Sequence, residues 1–162
     1  MNALFAGSFH PPTKGHLDII ERASHLYDKV YVAVMYNAEK QYTLSIEDRI
    51  SMLKKITMHL SNVEIVSGSG LTCELAKRVG CGVLIRGLRN STDFEYELPI
   101  ALANKKVFGL ETVFLPCDSS NMWISSTIVN DLIRHGGDIE KLVPQEICED
   151  ILRAHRRTSK GV

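Results

Sequence analysis

The chain has 162 residues, and its 19 basic and 19 acidic side chains leave a formal net charge of zero. This balance argues against a protein that coats DNA or RNA, because such proteins carry a broad basic excess. The length fits one domain, and the absence of any run of about 18 apolar residues excludes a predicted membrane-spanning helix. No basic region precedes the short N-terminal apolar run, so we expect no signal peptide.

Apolar runs and amphipathic segments alternate along the chain. The apolar runs predict five strands, at Ala3–Ala6, Val30–Met35, Val63–Val66, Val83–Ile85 and Thr112–Leu115. Apolar residues at three- and four-residue spacing predict helices at His16–Leu26, Ser45–Leu60, Leu71–Val79, Asp93–Phe108 and Ser125–His135, with a last helix opened by Pro144. Ser45 and Asp48 suit a capped helix start, and Pro99 is expected to distort its helix locally.

Strands that alternate with helices predict right-handed crossovers and a parallel sheet. We therefore expect one α/β domain over residues 1–162, doubly wound and Rossmann-like, with a five-stranded parallel sheet and a short basic C-terminal tail. Such sheets bind ligands beyond the carboxyl ends of their strands, near the switch in strand order. Four stretches lie there: Gly7–Gly15, Tyr36–Thr43, Arg86–Asn90 and Pro116–Thr127.

The four cysteines, at positions 73, 81, 117 and 148, show neither CxxC spacing nor nearby paired histidines. A zinc site therefore has little support, and we expect no metal ligands from the protein. Scattered cysteines in a chain of this size are typical of reduced thiols, which favours a cytoplasmic location.

The first loop, GSFHPPTKGH from Gly7 to His16, follows a strand and enters a helix. Free N–H groups and the positive end of the helix favour an anion there. Gly15 would let a phosphate approach the backbone, and His16 can donate to a phosphate oxygen. The loop is neither GxGxxG nor GxxxxGK[ST], which argues against a dinucleotide dehydrogenase or a P-loop NTPase. A plain turn with an exposed histidine remains the alternative.

Other strand ends carry groups that suit phosphate. Arg86 and Arg89 come at the end of an apolar strand, and arginine forks match phosphate oxygens. The alternative is that they pair with the acidic residues Asp93, Glu95 and Glu97. Hydroxyls at Ser125–Thr127 begin a helix, where they cap it or hold a polyphosphate.

Together these stretches resemble the nucleotidyltransferase superfamily, with its [HT]xGH and ISST signatures. The segment RGLRNSTDFEYE, residues 86–97, is the most specific, and it is similar to the bacterial phosphopantetheine adenylyltransferases. The match runs from about Leu4 to Leu152. The resemblance implies adenylyl transfer from ATP to 4′-phosphopantetheine, which gives dephospho-coenzyme A and pyrophosphate in coenzyme A biosynthesis.

The resemblance also implies roles for individual residues. His16 would contact the α-phosphate of ATP and stabilise charge that develops during transfer. Phosphopantetheine binding is implied for Ser8, Lys40, Thr72 and Arg86. ATP binding is implied for Ser8, Phe9, His16, Gly87, Leu88, Arg89, Glu97, Asn121, Met122, Trp123, Ile124, Ser125, Ser126 and Thr127. Mg²⁺ would be held mainly by the ATP phosphates, coenzyme A is a candidate feedback ligand, and the chain would form a homohexamer.

Three residues depart from the family pattern. Ser8 stands where threonine is common, His10 where aspartate is usual, and Asn130 where many relatives have a basic residue. We hypothesise that His10 lies near bound nucleotide and that nucleotide raises its pKa. The alternative is a ring packed on Pro11 at the rim of the loop.

Three other functions remain open from the sequence. The first is another enzymatic reaction, adenylyl or cytidylyl transfer to nicotinamide mononucleotide or glycerol phosphate. A nucleotide sensor without catalysis is a second, and a nucleic-acid module that uses the basic tail Arg153–Lys160 is a third. The third has the least support, because cations at the end of a helix suit its dipole.

Overall fold

The computed structural model describes residues 1–37 and 41–159. These residues form five strands, β1 Asn2–Gly7, β2 Lys29–Tyr36, β3 Val63–Ser69, β4 Val83–Leu88 and β5 Glu111–Pro116. They also form six α-helices, α1 Lys14–Leu26, α2 Ile46–Thr57, α3 Thr72–Arg78, α4 Ser91–Phe108, α5 Ser126–Arg134 and α6 Gln145–Ser159. The predicted alternation of strands and helices is confirmed.

All strand pairs in the sheet are parallel, in the order β3-β2-β1-β4-β5. The chain builds outward from β1 to β3, then returns to the other side of β1 with β4. This reversal puts the switch point between β1 and β4, where the connections leave in opposite directions and a crevice opens. The doubly wound parallel sheet predicted from the sequence is confirmed.

The sheet is covered on both faces, because successive side chains of a strand point to opposite sides. In β1, Ala3 and Phe5 join the larger apolar core, which includes residues of α1, α2 and α6. Leu4 and Ala6 join the smaller core on the other face, with residues of α3. Burial on both faces explains why β1 is almost continuously apolar.

Several element ends differ from the predicted ones. Strand β4 continues through Leu88, because Arg86–Leu88 pair with the end of β5, so this segment belongs to a strand and not to a loop. Helix α1 begins at Lys14 under the cap of Thr13. Helix α4 begins at Ser91, where the Asn90 side chain accepts the N–H of Asp93 at 2.9 Å. In both helices the cap moves the start ahead of the first apolar residue.

The basic C-terminal segment is part of helix α6 as far as the described residues go. Arg157 pairs with Asp48 of α2 at 2.8 Å, and His155 is buried; Lys160 lies outside the described residues. This packing gives the segment a role in holding α6 against α2. Among the described helices, none has the length and apolar content to cross a bilayer, and the four cysteines are free thiols.

Candidate active site

Three adjoining cavities open at the carboxyl ends of the strands. The central cavity, about 640 Å³, lies between the first loop, β4 and the start of α5, and it includes His16 and Arg89. The outer cavity, about 1030 Å³, lies beyond β1 and β2 and includes Tyr42 and Thr72. The side pocket, about 300 Å³, extends from the outer cavity between α3 and α4. Gly7, Ser8 and Arg86 line both the central and the outer cavity.

The structure brings most of the predicted site residues together. The central cavity is lined by Ser8, Phe9, His16, Arg86, Gly87, Arg89, Glu97, Asn121, Ile124, Ser125, Ser126 and Thr127. Thr72 lines the outer cavity and the side pocket. Leu88, Met122 and Trp123 line none of the three, and Met122 and Trp123 have exposed side chains. Lys40 lies outside the described residues.

His16 is held in one orientation by the start of α1. The Thr13 N–H donates to His16 Nδ1 at 3.0 Å, and the His16 N–H donates to the Thr13 hydroxyl at 3.3 Å. Because Nδ1 accepts a hydrogen bond, the ring proton of the neutral imidazole is on Nε2. Burial, helped by the positive charges of Arg89 and Arg86, lowers the pKa of His16 to about 4. His16 is therefore a neutral hydrogen-bond donor at physiological pH.

Phe9 packs beneath this imidazole. Its backbone has φ 47°, a left-handed conformation that non-glycine residues rarely adopt. The Phe9 ring is fully buried and meets the His16 ring edge-on at 4.9 Å between centroids. Unusual backbone conformations of this kind persist where the surrounding structure fixes them, often at functional sites. Phe9 thus supports the His16 ring from below and contributes a wall of the central cavity.

Each of the two arginines is anchored by a carboxylate. The Arg86 Nε–H donates to Glu97 at 2.9 Å. One terminal nitrogen of Arg86 donates to the same carboxylate, and the other donates to the Ala6 carbonyl. Arg89 donates Nε and Nη2 to Asp93 at 3.0 and 3.1 Å. Pairing with the acidic residues, raised as an alternative from the sequence, is therefore present for Asp93 and Glu97. It leaves both guanidinium groups on the cavity wall, where their remaining N–H donors suit phosphate.

The three hydroxyls at the start of α5 have different partners. Ser125 caps the helix by accepting the Ile128 N–H at 3.2 Å. Ser126 donates to the Pro11 carbonyl at 2.8 Å, which ties α5 to the first loop. Within the described part of the chain, the Thr127 hydroxyl makes no hydrogen bond, and it lines the central cavity. Of the two interpretations from the sequence, helix capping therefore accounts for one of the three hydroxyls.

The structure places His10 outside the three cavities, so it gives no support to the hypothesis that this residue lies near bound nucleotide. His10 Nε2 accepts the N–H groups of Thr43 and Leu44 at 3.0 and 3.1 Å, and the residue lines none of the cavities. Burial is the largest cause that lowers its pKa to about 4, with Arg49 and His155 adding to the effect. Asn130 is also turned away from the cavity, because its amide donates to the His10 carbonyl at 2.8 Å.

Sequence reasoning missed several residues of the central cavity. Thr13, Thr92, Tyr96 and Cys117 line it but were not predicted as site residues. The spacing of Thr13 three residues before His16 is a helix-capping signal and could have identified Thr13. The other three became part of the site through the packing of α4 and β5, which no local pattern indicates.

Acid is expected to destabilise the fold through His10 and His16. Both have a pKa of about 4, below the reference of ~6.5, so the unfolded chain binds protons more readily between these values. The free energy of unfolding should be nearly level above pH 7 and should fall between pH 7 and pH 5, by about 2 kcal/mol for the more deeply buried His16 and by less for the half-buried His10, where solvent screens the effect. Urea unfolding at the two pH values measures this loss. His10→Gln should reduce it and exposed His25→Ala should not; equal losses in wild type and His10→Gln would contradict the assignment.

The comparisons with known proteins agree with this geometry. Residues 4–131 match the cytidylyltransferase-like family. The phosphopantetheine adenylyltransferase of Finegoldia magna is 48% identical over 149 residues, covering 91% of this chain and 92% of the relative. That of Gloeothece citriformis is 47% identical over 152 residues, covering 93% and 97%. A crystal structure from Vibrio parahaemolyticus, provisionally described as a nicotinate-nucleotide adenylyltransferase, shares the fold with a TM-score of 0.66 at 21% identity, covering 93% of this chain and 97% of that one.

Proposed function

The chain belongs to the phosphopantetheine adenylyltransferase family, and from this we propose that it transfers the adenylyl group of ATP to 4′-phosphopantetheine. The products are dephospho-coenzyme A and pyrophosphate. The observation that carries the proposal is the wall shared by two cavities, formed by Gly7, Ser8 and Arg86 at the switch point. ATP in the central cavity and an acceptor phosphate in the outer cavity would meet at this wall.

The proposed reaction needs positioning and charge stabilisation more than acid–base chemistry. A phosphate monoester with a second pKa of about 6 is mostly dianionic at pH 7, so no strong general base is required. An acceptor phosphate oxygen forms a bond to the α-phosphorus, and the bond from that phosphorus to the bridging oxygen of pyrophosphate breaks. A lone pair of the acceptor oxygen becomes the new bond, the pair of the broken bond leaves on the pyrophosphate oxygen, and preorganised donors stabilise the charge that develops.

The residues of the central cavity supply these donors. The Nε2–H of His16 and the first turn of α1 suit the oxygens of the α-phosphate. Arg89 and the first turn of α5, with the Thr127 hydroxyl, suit the charge of the departing pyrophosphate. Because Asp93 already orients Arg89, little reorganisation is needed at the moment of transfer.

The lining of the side pocket supports the proposal that the acceptor carries a pantetheine arm. Its volume is about 300 Å³, and it combines apolar groups such as Leu4 and Ile100 with the polar side chains of Thr72 and Asn104. A pantetheine arm is a flexible chain with two amides and fits such a lining, whereas nicotinamide mononucleotide carries a charged ring and a ribose. Arg86 stands where the side pocket joins the outer cavity, in reach of a phosphate at the end of that arm.

The donor set fits Mg²⁺ that is bound through the nucleotide. Among the described residues, no group of three His, Cys, Asp or Glu side chains converges as a metal site, and Asp93 and Glu97 are engaged by arginines. We propose that phosphate oxygens and water hold the ion and that Ser8 and Thr127 lie near it. When bound, Mg²⁺ would neutralise part of the triphosphate charge.

We propose that the chain assembles into a homohexamer in the cytoplasm. Helix α4 supports assembly, because Glu97 is its one buried residue, while six large apolar side chains are exposed: Phe94, Tyr96, Leu98, Ile100, Leu102 and Val107. Exposed apolar surface of this extent is typical of an interface between subunits. Sedimentation velocity measures the proposed hexamer.

The cytoplasmic location is supported by the free thiols, which favour a reducing compartment. Coenzyme A shares the pantetheine arm, and we propose that it competes with phosphopantetheine for the acceptor site.

One assay tests the proposed activity. Pyrophosphate release from ATP is measured with 4′-phosphopantetheine, nicotinamide mononucleotide and glycerol phosphate as separate acceptors. We expect release with phosphopantetheine, at least tenfold faster in kcat/KM than with either other acceptor. Faster release with another acceptor would contradict the proposed substrate, and ATP binding without release in any mixture would indicate a nucleotide sensor.

Gly15→Ala is expected to separate folding from nucleotide binding. An added Cβ would lie 3.7 Å or more from the nearest protein atoms, so the free energy of unfolding should stay equal or rise by up to about 1 kcal/mol. Gly15 lines the central cavity, so the added methyl group should crowd a phosphate bound there and lower ATP affinity about tenfold or more. Urea unfolding and calorimetric ATP titration measure the two effects. Unchanged ATP affinity would show that no phosphate approaches Gly15.

A further inference from the structure

The segment that enters α2 is held in place by the side chain of His10. The ring nitrogen Nε2 accepts the backbone N–H groups of Thr43 and Leu44 at 3.0 and 3.1 Å. The His10 and Tyr42 rings also pack edge to face, with their centroids 5.1 Å apart. These contacts join residues 32 to 34 positions apart in the sequence, so they fix the start of the segment that enters α2 against the first loop.

Tyr42 is the part of this segment that reaches a cavity. It lines the outer cavity with Ser8, Thr72 and Arg86, where the acceptor phosphate is proposed to bind. The guanidinium of Arg49 lies over the Tyr42 ring, 4.3 Å from its centroid, and donates to the Ser8 carbonyl at 2.8 Å. His10 and Arg49 thus position Tyr42 relative to Ser8 across the outer cavity.

The backbone of His10 has a separate partner. Its carbonyl accepts from the Asn130 amide of α5 at 2.8 Å, and the first residues of α5 line the central cavity. A side-chain substitution leaves this carbonyl in place. The contacts toward the acceptor and those toward the nucleotide can therefore be separated by mutation at this one residue.

We propose that His10 is a positioning residue for the acceptor: by binding the Thr43 and Leu44 amides it sets the wall of the outer cavity that receives phosphopantetheine. The proposal rests on the function proposed above and assigns His10 no contact with substrate. It requires an unprotonated Nε2. The surroundings favour that form, because the neighbouring groups are cationic or neutral: Arg49 lies over Tyr42, and His155 shares the Thr43 hydroxyl with His10.

The test compares four variants of the full-length protein. His10→Ala removes the acceptor nitrogen, His10→Phe removes it but keeps a ring, and His10→Gln places an amide oxygen near the position of Nε2. His25→Ala changes an exposed histidine of α1 and is the matched control. For each, steady-state pyrophosphate release gives KM for 4′-phosphopantetheine and kcat, calorimetry without acceptor gives Kd for ATP, and thermal unfolding gives Tm.

Loss of two backbone hydrogen bonds should raise KM for phosphopantetheine about tenfold in His10→Ala and His10→Phe, with Kd for ATP within twofold of wild type. His10→Gln should restore KM to within about threefold, and His25→Ala should match wild type. If His10→Ala does not fold, the contrast between His10→Phe and His10→Gln decides. Equal loss of ATP and acceptor binding, or unchanged KM, would overturn the proposal. A wild-type protein that is inactive with phosphopantetheine would overturn the proposed function instead.

Discussion

Replacing His16 by alanine is expected to lower kcat by about 10²–10³-fold, the cost of removing one preorganised donor from a developing oxyanion. The structure gives the reason, because the Thr13 N–H fixes Nδ1 as an acceptor and leaves Nε2–H as the donor. KM for ATP should change less than kcat, since the contact matters most in the transition state. Steady-state pyrophosphate release with ATP and 4′-phosphopantetheine measures both constants.

Two variants control for indirect effects of this substitution. His16→Gln offers an amide N–H near the position of Nε2 and should recover part of the lost kcat. His25→Ala, exposed on the same helix, should leave kcat unchanged. Losing the capping contact with Thr13 should reduce the free energy of unfolding by about 1 kcal/mol, which urea unfolding checks. Wild-type kcat in His16→Ala would refute the assigned role.

Replacing Arg89 by alanine is expected to weaken ATP binding about 10²-fold, while KM for phosphopantetheine stays within about threefold. Two effects add: the remaining N–H donors of the guanidinium are lost, and Asp93 is left with an unpaired charge facing the triphosphate. At present Arg89 holds the pKa of Asp93 below its usual value. Calorimetric ATP titration measures the affinity, and Arg89→Lys should rescue poorly because an ammonium cannot replace a planar fork.

A double mutant separates the two effects. Arg89→Ala with Asp93→Asn removes the unpaired charge, so ATP affinity should be about tenfold better than in Arg89→Ala alone. Lys40→Ala is expected to show the opposite preference and mainly to raise KM for phosphopantetheine. If Arg89→Ala and Lys40→Ala each weakened both substrates equally, the division between the central and outer cavities would be incorrect.

The sequence by itself determined the order of elements and the edge of the sheet that holds the site. Apolar periodicity and helix caps are local signals, so β1, α1 and α2 were predicted within a few residues of their observed ends. The rule that ligands bind at the carboxyl ends of parallel strands then brought His16, Arg86 and the start of α5 together. No distant contact had to be known for that step.

Only the tertiary structure decided how the side chains at that edge are paired and aimed. Arg86 meets Glu97 across 11 residues, and His10 meets Thr43 across 33 and Asn130 across 120. A local pattern places a histidine in a loop, but the direction of its ring depends on which unpaired N–H groups lie within reach after folding. For His10 these are the amides of Thr43 and Leu44, because a buried polar group must find a hydrogen-bond partner. Asn130, which stands where many relatives have a basic residue, instead donates its amide N–H to the His10 carbonyl of the first loop.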